Sequence, residues 1–530
     1  MDTHDHLFEL IKSLTKSEKG YFKKINSFHV KGAHNNYMLL FDALDKMEHY
    51  QERNLSRQLK GIANRQLPFL KHYLYNQLLD ALDQYYQSSN VEINKFICKV
   101  EILYKKGLVV QGKKLLDKAL VFAWKKEKFA YLLQLTSLRY EFLADEENRE
   151  RLMLQKEQLN SDLSVLRNMI DNLYGYQRLR IDLNLMRAET GYARSGIQVQ
   201  QYERLLHHPL LASEHAALSG SAKFHFHSLR AIIQNYTHQY AAAYTSLQKV
   251  EDLFADYPVL FEESVSARIK TLQRKSAVAL TLGRFVQAMD DITRMRAIKA
   301  KHEKYKSLIF QNGFHQEFLI YLLTGRFEEL LKRVPAFLEG YAIHHSRILK
   351  TFELQLLQRI GQAYFIEGKY EEALEWFNRA INTAPASFRD DVVSGIKMDE
   401  LLTHFELGNM RVVKSKIAAL QKYLRSKNKP FSFEMFLLDV LEQYLKKETP
   451  KEIAAHWKKA FDHMQIAFNS NTESVPVKYF YIKAWMESKI SGKVLSDVLR
   501  KHIREFKFPE AVTLGKKKKK DLADAGSHAR

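Results

Sequence analysis

The chain has 530 residues, with 82 Lys and Arg against 61 Asp and Glu, and a formal net charge of +21. This length is too great for one compact core, so the chain must divide into domains or extend as a repeat array. A hydrophobic content of 46% excludes wholesale disorder. The chain contains only 20 Gly and 9 Pro. So few breakers favour long helices over a many-stranded sheet, and we expect an all-α protein.

The N-terminal 95 residues are predicted to form a helical region. Thr15 and Glu18 have the spacing of a capping box, in which the two side chains satisfy free backbone amides at a helix start. Further on, apolar residues between Leu70 and Tyr85 recur every three or four positions. That spacing is typical of a helix with one apolar face.

The single cysteine, Cys98, excludes an internal disulfide. It lies in an apolar helical stretch, which favours a buried structural thiol over a nucleophile. Neither a signal peptide nor a long apolar segment is visible, so membrane insertion is not expected. The sequence therefore predicts a cytoplasmic protein.

Lysine clusters flank two aromatic residues in the next part of the chain. Lys105–Lys106, Lys113–Lys114 and Lys125–Lys128 lie near Trp124 and Phe129. Basic groups beside aromatic rings can bind single-stranded nucleic acid through phosphate contacts and stacking. The commoner arrangement is a solvated lysine face with the tryptophan packed inward. Nucleic acid is therefore the alternative partner, supported mainly by the net positive charge.

A glycine followed by a basic residue and an aromatic residue recurs in the middle of the chain. The steps begin at Gly283, Gly325 and Gly368, with a weaker copy at Gly408, at intervals of 40 to 43 residues. Each glycine follows one apolar helix and precedes another. A left-handed glycine would end the first helix, and the aromatic residue would re-enter the core. The pattern predicts a series of helical hairpins.

The segment Leu357–Pro385 resembles a tetratricopeptide (TPR) repeat position by position. Gly361 and Ala373 are small where the two helices would cross, and aromatic residues fill the surrounding space. The residues that carry the resemblance are Gly361, Tyr364, Gly368, Tyr370, Ala373, Phe377, Ala380 and Pro385. The resemblance implies an α-solenoid of divergent TPR-like hairpins, with intervals longer than the roughly 34 residues of a standard repeat.

We divide the chain into four regions on this basis. Each hairpin needs a neighbour to bury its apolar side, so the repeats should form one continuous array. The predicted regions are an N-terminal helical region (1–95), a TPR-like array (96–445, clearest in 220–430), a C-terminal helical cap (446–512) and a disordered basic tail (513–530).

No catalytic motif is visible in the sequence. It lacks the phosphate-binding glycine loops, the paired-histidine zinc motif and the nucleophile elbow. Adjacent histidines such as His207 and His208 point apart on a helix and cannot chelate one metal. We therefore expect neither a catalytic site nor a metal or cofactor, and interpret the chain as a non-catalytic adaptor or scaffold for a protein or peptide partner.

The resemblance also implies where a partner would bind, because the first helix of each TPR hairpin lines a concave groove that commonly holds peptides or helices. Alignment on the glycine steps places a polar stripe there. The predicted groove residues are His225, Lys270, Gln273, Arg274, Asn312, His315, Gln355, Gln358 and Gln362. Such a stripe suits a polar or acidic segment. A merely solvated helix face is the alternative. One TPR subclass clamps a C-terminal carboxylate with Lys and Asn, but Gln358 and Gln362 occupy the matching positions, so this clamp is not expected.

Overall fold

The computed structural model describes residues 5–27, 36–52, 64–86, 88–144, 148–190, 196–385, 390–426, 432–467 and 476–506, together with residues 55 and 59. This part of the chain contains 24 α-helices and no strand, which confirms the all-α prediction. Its contacts separate the chain into two compact units, Met1–Ile170 (unit 1) and Asp171–Arg530 (unit 2). The predicted tail at 513–530 lies outside the described residues.

Unit 1 is built from helices of 8 to 19 residues and from the first part of a longer helix. Its helices are α1 (His6–Ser13), α2 (Lys16–Ser27), α3 (Asn36–Lys46), α4 (Leu67–Tyr85), α5 (Ser89–Lys105), α6 (Val109–Lys125), α7 (Phe129–Ala144) and the first part of α8 (Arg149–Thr190). The predicted capping box is confirmed. The Thr15 backbone N–H donates to Glu18 Oε2 at 2.5 Å, and the Glu18 N–H donates to Thr15 Oγ1 at 3.2 Å. The predicted domain limit at residue 95 lies inside α5, the boundary between units 1 and 2 lies inside α8, and the four predicted regions stay a prediction.

Two predictions about side chains of unit 1 are wrong. Cys98 is exposed, because the buried stripe of α5 runs through Ile93, Ile97 and Val100, and Cys98 is turned away from it. The Trp124 side chain is 37% exposed, because Ala123 occupies the inward position of α6. In both cases the apolar residue is one position out of phase with the buried stripe.

Unit 2 consists mainly of helical hairpins. Its helices are the rest of α8, then α9 (Gly196–Leu206), α10 (Pro209–Ala212), α11 (Gly220–Tyr236), α12 (Tyr240–Asp256), α13 (Val265–Thr281), α14 (Phe285–Arg296), α15 (Glu303–Leu323), α16 (Phe327–His344), α17 (Lys350–Ile366), α18 (Tyr370–Thr383), α19 (Asp390–Glu406), α20 (Met410–Arg425), α21 (Ser432–Tyr444), α22 (Pro450–Ala467), α23 (Pro476–Ser491) and α24 (Leu495–Glu505).

The predicted glycine turns are confirmed. Gly283, Gly325, Gly368 and Gly408 have φ values of 77°, 71°, 74° and 72°. After Gly283, the N–H of Arg284 donates to the carbonyl of Ala279 at 2.8 Å, and the other three turns repeat this bond. A hydrogen bond of this kind closes a helix whose next residue is left-handed. Each glycine therefore ends one helix and allows the chain to reverse into the next.

Within each hairpin the two helices pack tightly on each other. Gly361 of α17 faces the ring of Phe377 on α18, and a Cβ added at Gly361 would lie 2.6 Å from Phe377 Cε1. Ala373, Phe377 and Ala380 are fully buried. The first helices α13, α15, α17 and α19, which we call the A helices, also pack on one another in succession. This arrangement sets side chains of neighbouring repeats beside each other.

The last two helices of unit 2, α23 and α24, return to the turns of earlier hairpins, and we call them the return segment. Trp485 Nε1 donates to Glu406 Oε1 at 2.7 Å, at the end of α19. Arg500 Nε donates to the Gly325 carbonyl at 3.2 Å, and its Nη2 donates to Glu367 Oε1 at 3.2 Å. The return segment thus contacts the ends of three successive A helices.

Candidate binding face

Helix α15 presents a row of polar side chains at its centre. Asn312, His315 and Gln316 share one face, because they are three and four positions apart. The side chains of Asn312 and Gln316 form no hydrogen bond within the described part of the chain, although the two residues are only 4% and 3% exposed. His315 Nδ1 and Gln316 Oε1 are fully enclosed and lack a partner there as well. Buried polar atoms are normally paired, so this row is an exception that requires an explanation.

His315 is held in place by the neighbouring A helix. Its Nε2 lies 2.8 Å from Gln355 Oε1, and its ring packs edge-on against Phe352 with centroids 4.7 Å apart. Burial, together with the positive charge of Arg359, lowers the pKa of His315 well below its ordinary value. The imidazole is therefore neutral at neutral pH. Since Nε2 must donate to the Gln355 oxygen, Nδ1 is left as a hydrogen-bond acceptor.

Two arginines lie on the A helices on either side of α15. Arg359 of α17 donates from Nη1 to the backbone carbonyl of His315, and burial lowers its pKa to about 9. Arg274 of α13 has neither a hydrogen bond nor an ion pair among the described residues. Burial and the nearby Arg187 lower its pKa. Both guanidinium groups are charged at neutral pH without a carboxylate beside them. We call the surface formed by Arg274, Asn312, His315, Gln316 and Arg359 the A-helix face.

The other predicted groove residues have different surroundings. Gln358 and Gln362 both donate to Asp399 Oδ2, at 2.7 and 2.8 Å, and so tie α17 to α19. His225 lies on α11, where burial and the positive charge of Arg180 lower its pKa to about 4. Lys270 is exposed and Gln273 is half-buried on α13. Some of the predicted groove residues therefore form hydrogen bonds within the chain, and the others form none among the described residues.

The sequence prediction omitted three residues of this region, Gln316, Arg359 and Asp399. A signal for them exists. Arg274, Gln316, Arg359 and Asp399 each stand nine residues before the glycine of a turn. They therefore occupy the same position in four successive A helices, and alignment on the glycine steps would have found them had that position been included.

The structure contributes two further observations on the kind of site. Within the described ranges, no group of three or more His, Cys, Asp or Glu side chains is arranged to hold a metal ion. None of the helices described is both long enough and apolar enough to cross a membrane.

Comparison with known proteins identifies one repeat directly. A tetratricopeptide repeat model matches residues 355–387, which confirms the resemblance of Leu357–Pro385. A search of curated proteins finds no match. The chain therefore contains a TPR-like repeat at residues 355–387, which lies among the helical hairpins of unit 2.

Three solved structures align with most of the chain at low similarity. The apo form of the quorum sensor NprR from B. thuringiensis is 13% identical, with 75% of this chain and 98% of that chain covered and a TM-score of 0.42. NprR in complex with its cognate peptide NprX is 13% identical, with coverages of 72% and 98% and a TM-score of 0.39. The P58(IPK) TPR domain is 12% identical, with coverages of 72% and 96% and a TM-score of 0.24.

Proposed function

We propose that the protein is a non-catalytic interaction scaffold whose A-helix face binds a polar or acidic peptide segment of a partner protein. The observation that carries the proposal is the row of unpartnered polar groups on α15. Each buried, unpaired polar group costs about 1–3 kcal/mol, so a fold gains stability by pairing or removing it. A ligand that supplies the missing hydrogen bonds explains why the groups are present.

The chemistry of these groups suits a peptide backbone. His315 Nδ1 and Gln316 Oε1 are acceptors, and peptide N–H groups are donors. The Asn312 amide can donate and accept, so it can pair with either side of a peptide group. The TPR-like repeat at residues 355–387 supports the proposal, because the first helices of such repeats commonly line a groove that binds peptides.

The test begins with selection of peptides from a phage-displayed decapeptide library on the full-length protein. Selected peptides are synthesised, and their affinities are measured by fluorescence anisotropy. We expect Asn312→Ala and Gln316→Ala to weaken binding about tenfold each, as expected for loss of one hydrogen bond in a buried site. Lys414→Ala, at an exposed position of α20, serves as the control and should leave affinity unchanged. Equal affinities for all four proteins would exclude the A-helix face as the site.

A second candidate function, binding of single-stranded nucleic acid, is favoured by one observation in unit 1. Trp124 is 37% exposed, with Lys125 exposed beside it and the ring of Phe129 at 6.4 Å. An exposed aromatic ring beside lysines can stack on a base. This candidate predicts oligonucleotide binding that weakens steeply with salt and is reduced by Trp124→Ala. Absence of binding to a thirty-nucleotide oligothymidine at about 50 mM salt would eliminate it.

A further inference from the structure

Partly or fully buried cations of unit 2 fall into two groups that differ in their partners. Lys275 is 4% exposed and lies 2.6 Å from a carboxylate oxygen of Glu251. Arg296 and Arg333 lie 2.5 and 3.1 Å from the carboxylate of Glu317. These cations follow the general rule that a charge withdrawn from water is paired.

Arg274 and Arg359 do not follow this rule. Neither forms an ion pair within the described part of the chain. A guanidinium group carries five N–H donors, and Arg359 uses one of them, on the backbone carbonyl of His315. Burial lowers the pKa values of both arginines, which measures the cost of keeping them charged. No carboxylate of the described residues offsets that cost by an ion pair.

We propose that Arg359 and Arg274 each bind a carboxylate of the segment held on the A-helix face. The planar fork of donors on a guanidinium matches the two oxygens of a carboxylate. The proposal rests on the proposed function, because the same face must hold the peptide. It adds that the partner segment is acidic, with carboxylates placed toward α17 and toward α13.

The neighbouring groups favour an acidic peptide over a free inorganic anion. His315 Nδ1 and Gln316 Oε1 are acceptors, so an inorganic anion without an O–H group, such as sulfate, would leave both unpaired. An acidic peptide supplies N–H donors to these two atoms and carboxylates to the arginines. Such a peptide can pair with all of these groups at once.

The experiment uses the full-length protein and four fluorescent octapeptides, which are octaglutamate and octaglutamine, each as the C-terminal amide and as the free acid. Binding is measured by anisotropy. We expect amidated octaglutamate to bind at least tenfold more tightly than amidated octaglutamine, since each charged hydrogen bond is worth about a factor of ten or more. Arg359→Gln and Arg274→Gln should each remove about tenfold of that affinity. Arg359→Lys, which keeps the charge and loses the fork, should remove part of it.

The control is Arg411→Gln, which makes the same change in net charge at an exposed position of α20. An equal loss of affinity in Arg411→Gln and Arg359→Gln would show attraction to the net positive charge alone and overturn the proposal. Binding of free-acid octaglutamine that depends on Arg359 would support the carboxylate subsite and identify its source as a chain terminus. Circular dichroism of each variant establishes that it is folded.

A different result would separate this inference from the proposed function. Library-selected peptides could depend on Asn312 and Gln316 and yet bind equally to wild type, Arg274→Gln and Arg359→Gln. The A-helix face would then be a peptide site, and the carboxylate subsites would be wrong.

Discussion

The A-helix face and the return segment are both rich in polar groups, but more of these groups are paired in the return segment, where the Tyr481 hydroxyl and His502 Nδ1 are the enclosed atoms without a described partner. In the return segment Trp485 and Lys489 both bind the carboxylate of Glu406, and Arg500 binds Glu367 and the Gly325 carbonyl. On the A-helix face, Gln316 and Arg274 have no partner in the described structure. Paired polar groups stabilise the fold, whereas unpaired ones cost stability and suit a ligand.

The two regions are also connected through the A helices. The return segment contacts the Gly325 turn, Glu367 and Glu406, which lie at the ends of α15, α17 and α19. Contacts to three successive A helices fix the spacing between them. The return segment therefore fixes the geometry of the A-helix face.

The largest expected effect is the loss of the buried Trp485 side chain. Trp485 is 1% exposed, and it packs against Trp457 with ring centroids 5.2 Å apart. Trp485→Ala should lower the free energy of unfolding by about 3–5 kcal/mol, because it leaves a cavity and removes one of the hydrogen bonds to Glu406. Urea denaturation followed by circular dichroism measures this change. Trp124→Ala, at the 37% exposed tryptophan, should cost much less, and equal losses would contradict the packing described for the return segment.

A smaller effect is expected where two helices of one hairpin meet. Gly361→Ala would place a Cβ 2.6 Å from the Phe377 ring, so we expect a loss of about 1–3 kcal/mol in the free energy of unfolding. Gly20→Ala is the matched control. No atom lies within 4 Å of a Cβ at that position, and alanine is the better helix former, so this variant should gain up to about 1 kcal/mol. Effects of the same sign in urea denaturation would contradict the close approach at Gly361.

The comparison also shows what the sequence could and could not predict. The glycine turns were predictable because a left-handed residue after a helix strongly favours glycine. Glu127 and His238 form equivalent turns, with φ values of 47° and 61°. These two turns were not predictable, because neither contains a glycine at the left-handed position. On the candidate face, alignment on the glycine steps selected Asn312 and His315 as predicted groove residues. The alignment did not show which of these side chains are hydrogen-bonded within the chain. Gln358, for example, donates to Asp399, which belongs to another repeat.

Acid should weaken unit 2 through His225, a half-buried histidine outside the return segment. Burial and Arg180 lower the pKa of His225 to about 4, so between its ordinary pKa near 6.5 and that value the unfolded chain binds the proton and the folded chain does not. Stability therefore falls as pH decreases through this window, by about 1 kcal/mol between pH 7 and 5.5. His225→Gln should flatten the curve in urea titrations at several pH values, whereas exposed His207→Gln should not. Identical slopes for the two variants would contradict the burial of His225.

The smallest expected effect has the opposite sign and tests the comparison most directly. Gln316 Oε1 is buried without a partner, so Gln316→Leu should raise the free energy of unfolding by several tenths to about 1 kcal/mol. Gln311, on the same helix and 2% exposed, accepts a hydrogen bond from the Leu349 backbone N–H at 3.0 Å. Gln311→Leu leaves that donor unpaired and should lower the free energy by about 1–3 kcal/mol. Urea denaturation of the two variants measures the sign of each change in the free energy of unfolding. A loss indicates a glutamine that is hydrogen-bonded within the fold, and a gain indicates one that is unpaired there. If both variants are destabilised equally, Gln316 is paired in the folded protein, and the unpaired row on α15 no longer supports a binding site.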